Sequence, residues 1–429
     1  MAVPHRPSRR SRSLLGFVLV GACLLMLPSL SALPTFASLL GGPRLWPSSS
    51  AQHGSRLTNA TEEVPRPSVS RHASDSGRTL PASLSPGIVG ALSLLILVGA
   101  ALRFKKWLDT PKRPYVPTGG EEHSANTVGA SYDEWTRDGV VEHYWGEHIH
   151  MGAYRDLSSQ SGYHRNDGFV VAFLRATFGR LRDFKLAKYD FIEDMLDWSD
   201  APGGVRRILD VGCGIGGTTR TLARKFPEAE VTGIAISAEQ VKRATALAQE
   251  AGLKNLKFVV MDALNMTFQD GEFDFVWACE SGEHMPDKRR YVEEMVRVLQ
   301  PGGSMVVATW CERDPDPPFT PEDRTNLDFL YQEWSHPFFI SINSYKDLME
   351  GTGMLEPVKT ADWTEQTLPS WRHSIWVGAW SPWYVLRQSL GRPSMALSIV
   401  REIVTLERFH RAMARGLLQY GMMKAQKKM

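Results

Sequence analysis

Ile208-Leu209-Asp210-Val211-Gly212-Cys213-Gly214-Ile215-Gly216-Gly217 is the stretch on which the reading of this chain turns. Arg207 to Val211 reads as a short strand and Thr218 to Phe226 has the spacing of a helix, so the glycines fill a strand-to-helix turn. Without a Cβ, glycine adopts positive φ and lets backbone N–H groups approach a ligand. Ligands of open α/β sheets lie just beyond the carboxyl ends of strands, where this turn sits. Dinucleotides use a related turn, and a glycine turn also serves simply to pack helix on strand. The dinucleotide form has G-x-G-x-x-G and an acid ~20 residues later on the ribose. Here the acid, Asp210, lies two residues before the first glycine, and the second strand ends Gly233-Ile234-Ala235-Ile236-Ser237 with none. A carboxylate at the mouth of the turn suits a ligand that carries an ammonium and a sulfonium and lacks a pyrophosphate, which is S-adenosyl-L-methionine.

Outward from the turn, short apolar runs alternate with longer amphipathic ones, the pattern of βαβ units around a parallel sheet. Glu230 to Ile236, Lys257 to Met261, Phe273 to Ala278 and Ser304 to Thr309 read as strands. Glu239 to Gly252 and Tyr291 to Leu299 read as helices, the second stopped by Pro301-Gly302-Gly303. Asp262 and Ala263 follow the third strand at the ligand edge and are placed to reach an adenine, although an Asp in such a position is often a helix cap. The candidate cofactor residues are thus Asp210, Gly212, Gly214, Gly216, Ser237, Gln240, Asp262, Ala263 and Glu280, with Trp145 as a ring to stack beside the sulfonium.

Residues 1 to 83 have a different texture, with nine Arg, no Lys and three acids. Arg6, Arg9, Arg10 and Arg12 precede an apolar run, Leu14 to Leu27, and then small residues around Ala32 and Ala37, the plan of a secretory signal (1–38). The Ser/Arg-rich segment that follows (39–83) cannot bury enough apolar surface to order itself. Together they read as the bipartite presequence of a plastid protein; an uncleaved anchor with a plain linker is the other reading. Leu84 to Leu102 has no charge over 19 residues and is followed by Arg103, Lys105 and Lys106. At ~1.5 Å per residue it reaches roughly 28 Å, enough for a membrane-spanning helix (84–104), with a buried core helix as the rival. A linker (105–130), an N-terminal helical segment (131–205), a cofactor-binding core (206–312) and a C-terminal remainder (313–429) complete the expected organisation.

The net charge of +2 comes from the basic tail and does not describe a nucleic-acid surface. The four cysteines, Cys23, Cys213, Cys279 and Cys311, lack C-x-x-C spacing and a matching His pair. Neither a disulfide framework nor a metal site is expected.

Beyond the glycine turn, Glu280-Ser281-Gly282-Glu283-His284-Met285-Pro286-Asp287-Lys288 and Arg297-Val298-Leu299-Gln300-Pro301-Gly302-Gly303 resemble the tocopherol-pathway methyltransferases. So does Tyr144-Trp145-Gly146-Glu147-His148-Ile149-His150-Met151-Gly152. Gln332 to Pro337 and Ala361 to Trp371 are similar to the branch acting on 2-methyl-6-phytyl- or solanesyl-benzoquinol, whereas Glu280 to Lys288 and Thr309-Trp310-Cys311 are nearer the γ-tocopherol branch. Ser158 to Arg182 has no counterpart in either. The resemblance implies an α/β class I S-adenosylmethionine-dependent fold, Rossmann-like, with a seven-stranded, mostly parallel sheet. It further implies a helical cap after Trp363 and a last antiparallel strand within Gly416 to Lys427, beside the membrane anchor. It implies C-methylation of a lipophilic prenylquinol at a plastid membrane.

Such a transfer needs a phenol made electron-rich by a general base. The candidates are Glu283 and His284 after the fourth strand, with His148 and His150 as rivals; capping and ordinary burial are the alternatives for each. A small-molecule N-methyltransferase and a non-catalytic cofactor-binding protein are the competing functions.

Overall fold

A computed structural model describes residues 86–111, 129, 132–133, 135–155, 163–179, 181–334, 336–390 and 392–429, with backbone alone for 86–97 and 393. The described residues from Lys106 onward belong to one compact unit, and those before it to another. The backbone of Pro86–Asp109 is helical (α1). Among the described residues no helix is long and apolar enough to cross a membrane, so the expected span Leu84 to Leu102 is not found there. The signal and presequence, most of the linker and the side chains of 86–97 lie outside the described residues.

The sheet has seven strands in the order β3-β2-β1-β4-β5-β7-β6. Four of them, β1 (Arg207–Val211), β2 (Glu230–Ala235), β3 (Leu256–Val260) and β4 (Phe273–Cys279), lie within a residue or two of their expected places. These four and β5 (Leu299–Glu312) are all parallel, β3 pairing with β2, β2 with β1, β1 with β4 and β4 with β5, while β7 (Leu418–Gln426) runs antiparallel to β5 and to β6 (Lys359–Asp362). β4 is buried along its whole length because helices cover both faces of the sheet. One face packs Leu209, Val276, Met305 and Met423 on Tyr291, Val292 and Met295.

The site-forming helices start on side-chain caps. Ser237 accepts the Gln240 N–H at 3.1 Å to open α6 (Ala238–Glu250), and Asp287 accepts the Arg290 N–H at 2.9 Å to open α7 (Lys288–Val298). α5 (Gly217–Lys225) instead opens on the glycine turn itself. The expected role of Pro301-Gly302-Gly303 as a helix stop needs correction. α7 ends at Val298, and these residues lie inside β5, where the register with β4 shifts between Phe273 and Phe275. A proline without an N–H is tolerated at such an irregularity, and the end of the chain supplies the missing pairing: Gly302 donates to the Lys427 carbonyl at 2.9 Å.

After β6 the chain builds the expected cap from α10 (Thr364–Trp380), α11 (Trp383–Ser389) and α12 (Pro393–Ala414), with α8 (Pro321–Glu333) and α9 (Ile342–Glu350) between β5 and β6. Trp371 of α10 lies flat on Phe409 of α12, ring centroids 4.7 Å apart and planes 2° apart. Beside it the buried Arg372 grips Glu407 through two bonds of 2.8 Å. Before the sheet come α2 (Val140–Trp145), α3 (Phe169–Phe178) and α4 (Phe184–Trp198). The described part of Ser158 to Arg182 is cap: Phe173 of α3 stacks on Trp380, and Arg372 donates to the Asp167 carbonyl at 2.8 Å. Truncating Trp371 to Ala removes a fully buried indole and should cost about 3–5 kcal/mol of unfolding free energy. Urea denaturation checks this, and an unchanged midpoint would refute the packing described for the cap.

Candidate active site

A cavity of about 990 Å³ opens at the carboxyl ends of β1, β2 and β4, within the size range of small-molecule sites. The strand order reverses between β1 and β4, which is where open α/β sheets place ligands. Its wall includes Asp210, Gly212, Gly214, Gln240, Asp262, Ala263, Glu280, His148, His150 and His284.

The turn is built for close approach. At Gly212 φ is +83° and an added Cβ would stand 2.3 Å from the Ser281 Cβ; at Gly217 it would stand 2.1 Å from the Glu147 carbonyl oxygen. Gly216 is off the wall, and its missing side chain makes room for Phe258, 2.4 Å from where a Cβ would be. Ser237 is also off the wall, where it caps α6 and hydrogen-bonds Asp133. Asp262 lines the cavity while its Oδ1 accepts the Leu264 N–H at 2.9 Å.

Trp145 is the clearest departure. It is absent from the wall, and the cation over its ring is the chain's own Lys188, whose Nζ lies 4.3 Å from the centroids of both Trp145 and Phe184. That buried ammonium donates to the carbonyls of Trp145 and His148 at 3.0 and 2.8 Å, strapping the His148–Met151 segment to α4.

Of the candidate bases, Glu283 is turned into the protein, where it accepts from Thr309 at 2.7 Å and is 1% exposed. His284, the next residue on the short Gly282–His284 turn, faces the cavity and bonds the Tyr132 hydroxyl through Nε2 at 2.8 Å. Burial and the nearby Lys288 hold its imidazole neutral, with a pKa pushed down to about 3. The other two histidines form a chain. His150 Nδ1 meets the Met151 carbonyl at 2.8 Å and so must donate, which makes its Nε2 the acceptor for His148 Nδ1 at 3.2 Å. His148 Nε2 is left with a lone pair and no hydrogen-bond partner among the described residues.

The charges of the site are unbalanced toward acid. Asp210 is 2% exposed, accepts from Thr219 at 2.6 Å, and has its pKa raised to about 7 by burial. Glu280 is raised by burial, against the Met151 N–H and Tyr420 hydroxyl that bond it; Glu283 is raised by burial and by the neighbouring Glu280 charge. Met151, Tyr132 and Tyr420 were not singled out by sequence reasoning: each reaches the site across more than a hundred residues, and nothing local marks them.

These carboxylates, the glycine cradle and the size of the cavity fit S-adenosylmethionine. Because the folded carboxyl of Asp210 holds its proton up to about pH 7, whereas an unfolded one loses it near pH 4, its contribution to apoprotein stability is present at acid pH and fades as pH rises through about 7. A bound cation favours the ionised form, so cofactor uptake at pH about 6 should release protons. Calorimetry in buffers of different ionisation heat reads this directly, and Asp210→Asn should cut the release and weaken binding at least ~tenfold. An enthalpy independent of buffer would refute the assignment.

A methyltransferase domain model matches residues 208–303. The 2-methyl-6-phytyl-1,4-hydroquinone methyltransferase of Synechocystis sp. is 38% identical over 79% of this chain and 96% of its own length. The probable chloroplastic tocopherol O-methyltransferase of Oryza sativa is 35% identical over 62% of this chain and 72% of its own. Among solved structures, geranyl diphosphate C-methyltransferase from Streptomyces coelicolor, crystallised with S-adenosyl-L-homocysteine, shares the fold with a TM-score of 0.52 at 19% identity, over 72% of this chain and 100% of its own. The cavity at the β1–β4 reversal and the 38% identity over nearly the whole of a relative meet in one conclusion: this chain belongs to the methyl-phytyl-hydroquinone and tocopherol methyltransferase family, whose cofactor is S-adenosylmethionine.

Proposed function

We propose that this protein methylates an aromatic ring carbon of a prenylated hydroquinone on the route to vitamin E or plastoquinone. The observation that carries the reading is the pairing, in one cavity, of the Asp210 glycine turn with a neutral imidazole already bonded to a phenol, His284 to Tyr132. A wall that receives a tyrosine hydroxyl has the chemistry to receive a quinol hydroxyl. The higher identity to the methyl-phytyl-hydroquinone enzyme than to the tocopherol enzyme favours the hydroquinone as acceptor.

Bound cofactor supplies an electrophilic methyl carbon on a sulfonium. In place of the Tyr132 hydroxyl, the phenolic O–H of the acceptor donates a hydrogen bond to the neutral His284 Nε2, and partial transfer of that proton as the methyl group arrives raises electron density at the ortho carbon. Phe338, Ile340 and Leu348 give the same cavity an apolar side that keeps water from the reacting carbon. His148 Nε2, the remaining bare acceptor on the wall, stands ready for the ring proton that must leave when aromaticity returns.

The reading extends to a plastid membrane. Its support is the signal-like and Ser/Arg-rich presequence, the uncharged stretch 84–102 and the chloroplastic tocopherol relative. It keeps the division into presequence (1–83), anchor (84–104), linker (105–130), N-terminal helical segment (131–205), cofactor core (206–312) and cap with remaining strands (313–429).

Incubating the full chain with labelled cofactor and a panel of monomethyl and dimethyl prenylquinols, a tocopherol and an indole-alkaloid amine should place the label on a ring carbon of a quinol. His284→Ala should lower turnover by about 10²–10⁴ while leaving cofactor affinity within ~twofold. Label on the amine nitrogen alone would overturn the proposal in favour of N-methylation.

A further inference from the structure

The stretch Ser158 to Arg182, unmatched by the family pattern, has a second face that the catalytic reading does not use. α3 buries Phe169, Ala172 and Phe173 against the cap and turns Val171, Leu174 and Phe178 outward, a stripe at helical spacing, with Phe178 77% exposed. Its C-terminal end is fixed to the end of α10: Trp380 lies over Phe173 with centroids 6.2 Å apart and donates to the Thr177 hydroxyl at 3.0 Å. Three residues past Trp380 the chain exposes Trp383 at the start of α11, then Leu390 at its end (80% exposed), then Leu397 early in α12. The outward apolar groups of three helices therefore gather around the end of α10. Soluble proteins rarely expose such a group of large apolar side chains without a partner.

The charge pattern says which partner. From Gln366 to Arg401 there is no Asp or Glu, while Arg372, Arg387, Arg392 and Arg401 are present; from Gly168 to Arg182 there is again no acid, with Arg175, Arg180 and Arg182. Two of these cations are buried and neutralised inside the cap, Arg372 by Glu407 and Arg401 by Glu333; the acids that face the others from neighbouring elements are Asp167 on Arg175, Asp190 on Arg182 and Asp138 on Arg392, and the exposed Arg387 stands apart from them. Aromatic and aliphatic side chains set among arginines match the interface of an anionic bilayer, where rings sit at the headgroup level and guanidinium groups meet phosphate. We propose that the outer faces of α3, α11 and the start of α12 dock on an anionic lipid surface, holding the cap against the membrane independently of the stretch 84–102. The proposal rests on the prenylquinol reading only in supposing that the acceptor is dissolved in that lipid.

Hydrogen exchange of the full chain should be followed with and without vesicles of phosphatidylcholine alone or with one third phosphatidylglycerol. Amides of 169–178 and 383–399 should slow at least ~tenfold with the anionic vesicles and little with the neutral ones. The variant F178S/W383S/L390S should lose that protection and at least ~tenfold of its rate on vesicle-borne quinol, with its detergent-micelle rate kept within ~twofold. These residues are on the surface, and Phe178→Ser alone, with an unchanged melting temperature, guards against misfolding. Exchange indifferent to vesicles overturns the proposal. So does protection that appears without lipid and grows with protein concentration, which would mark a contact between two copies of the chain. Should no quinol be methylated in any medium, the function reading fails while the exchange result still decides the surface.

Discussion

Two hydrogen bonds end on one oxygen of Glu280, from the Met151 N–H and from the Tyr420 hydroxyl, each 2.7 Å long. The three residues come from the segment before the sheet, the end of β4 and the last strand, so one half-buried carboxyl group closes the ligand edge from three directions. The backbone is bent to allow it: Glu280 has φ of +48°, a conformation that costs a residue with a Cβ of order 1 kcal/mol or more. Burial raises the carboxyl, and the two donors offset part of that cost. Lys188 and Arg220 complete the closure. Lys188 binds the carbonyls of Trp145 and His148, and Arg220 holds Glu147 at 2.7 Å, so the histidine-bearing segment lies on the wall because charges pin it there.

The parts of this arrangement that were legible in the sequence are those with local signatures. The glycine turn, its leading Asp210 and the four parallel strands follow from periodicity and backbone freedom, and each stands close to where those rules put it. Ring placement was not legible. Trp145 looked like a partner for the sulfonium, but a fully buried lysine needs aromatic faces and carbonyls more urgently, and Lys188 takes them. Glu283 and His284 are neighbours of the same apparent promise; a single 3-10 turn sends one inward and the other to the cavity. Pro301-Gly302-Gly303 misled because a strand edge repaired by the chain terminus looks, locally, like a helix stop.

Three carboxyls, the buried Asp210 and Glu283 and the half-buried Glu280, lie at the same end of the sheet, and desolvation works against ionising all of them. Lys288, itself pushed down to about 7 by burial, is spent on the carbonyls of Gly282 and Glu283. Cofactor binding and the electrostatic relaxation of the empty site are thus one event, since a cationic ligand supplies the charge that the wall lacks.

The acceptor is chosen elsewhere. A geranyl diphosphate methyltransferase at 19% identity shares the sheet, so the fold carries the cofactor half of the reaction and leaves the acceptor open. Outside β1 to β4 the cavity and cap add Tyr132 on His284, Phe338 and Ile340 on the wall, and α3 packed on the cap. Tyr132 and Phe338 line the cavity from segments on either side of the core strands, and neither belongs to the glycine turn. Because both stand outside that turn, a shared sheet leaves that part of the cavity free to differ between proteins of the same fold.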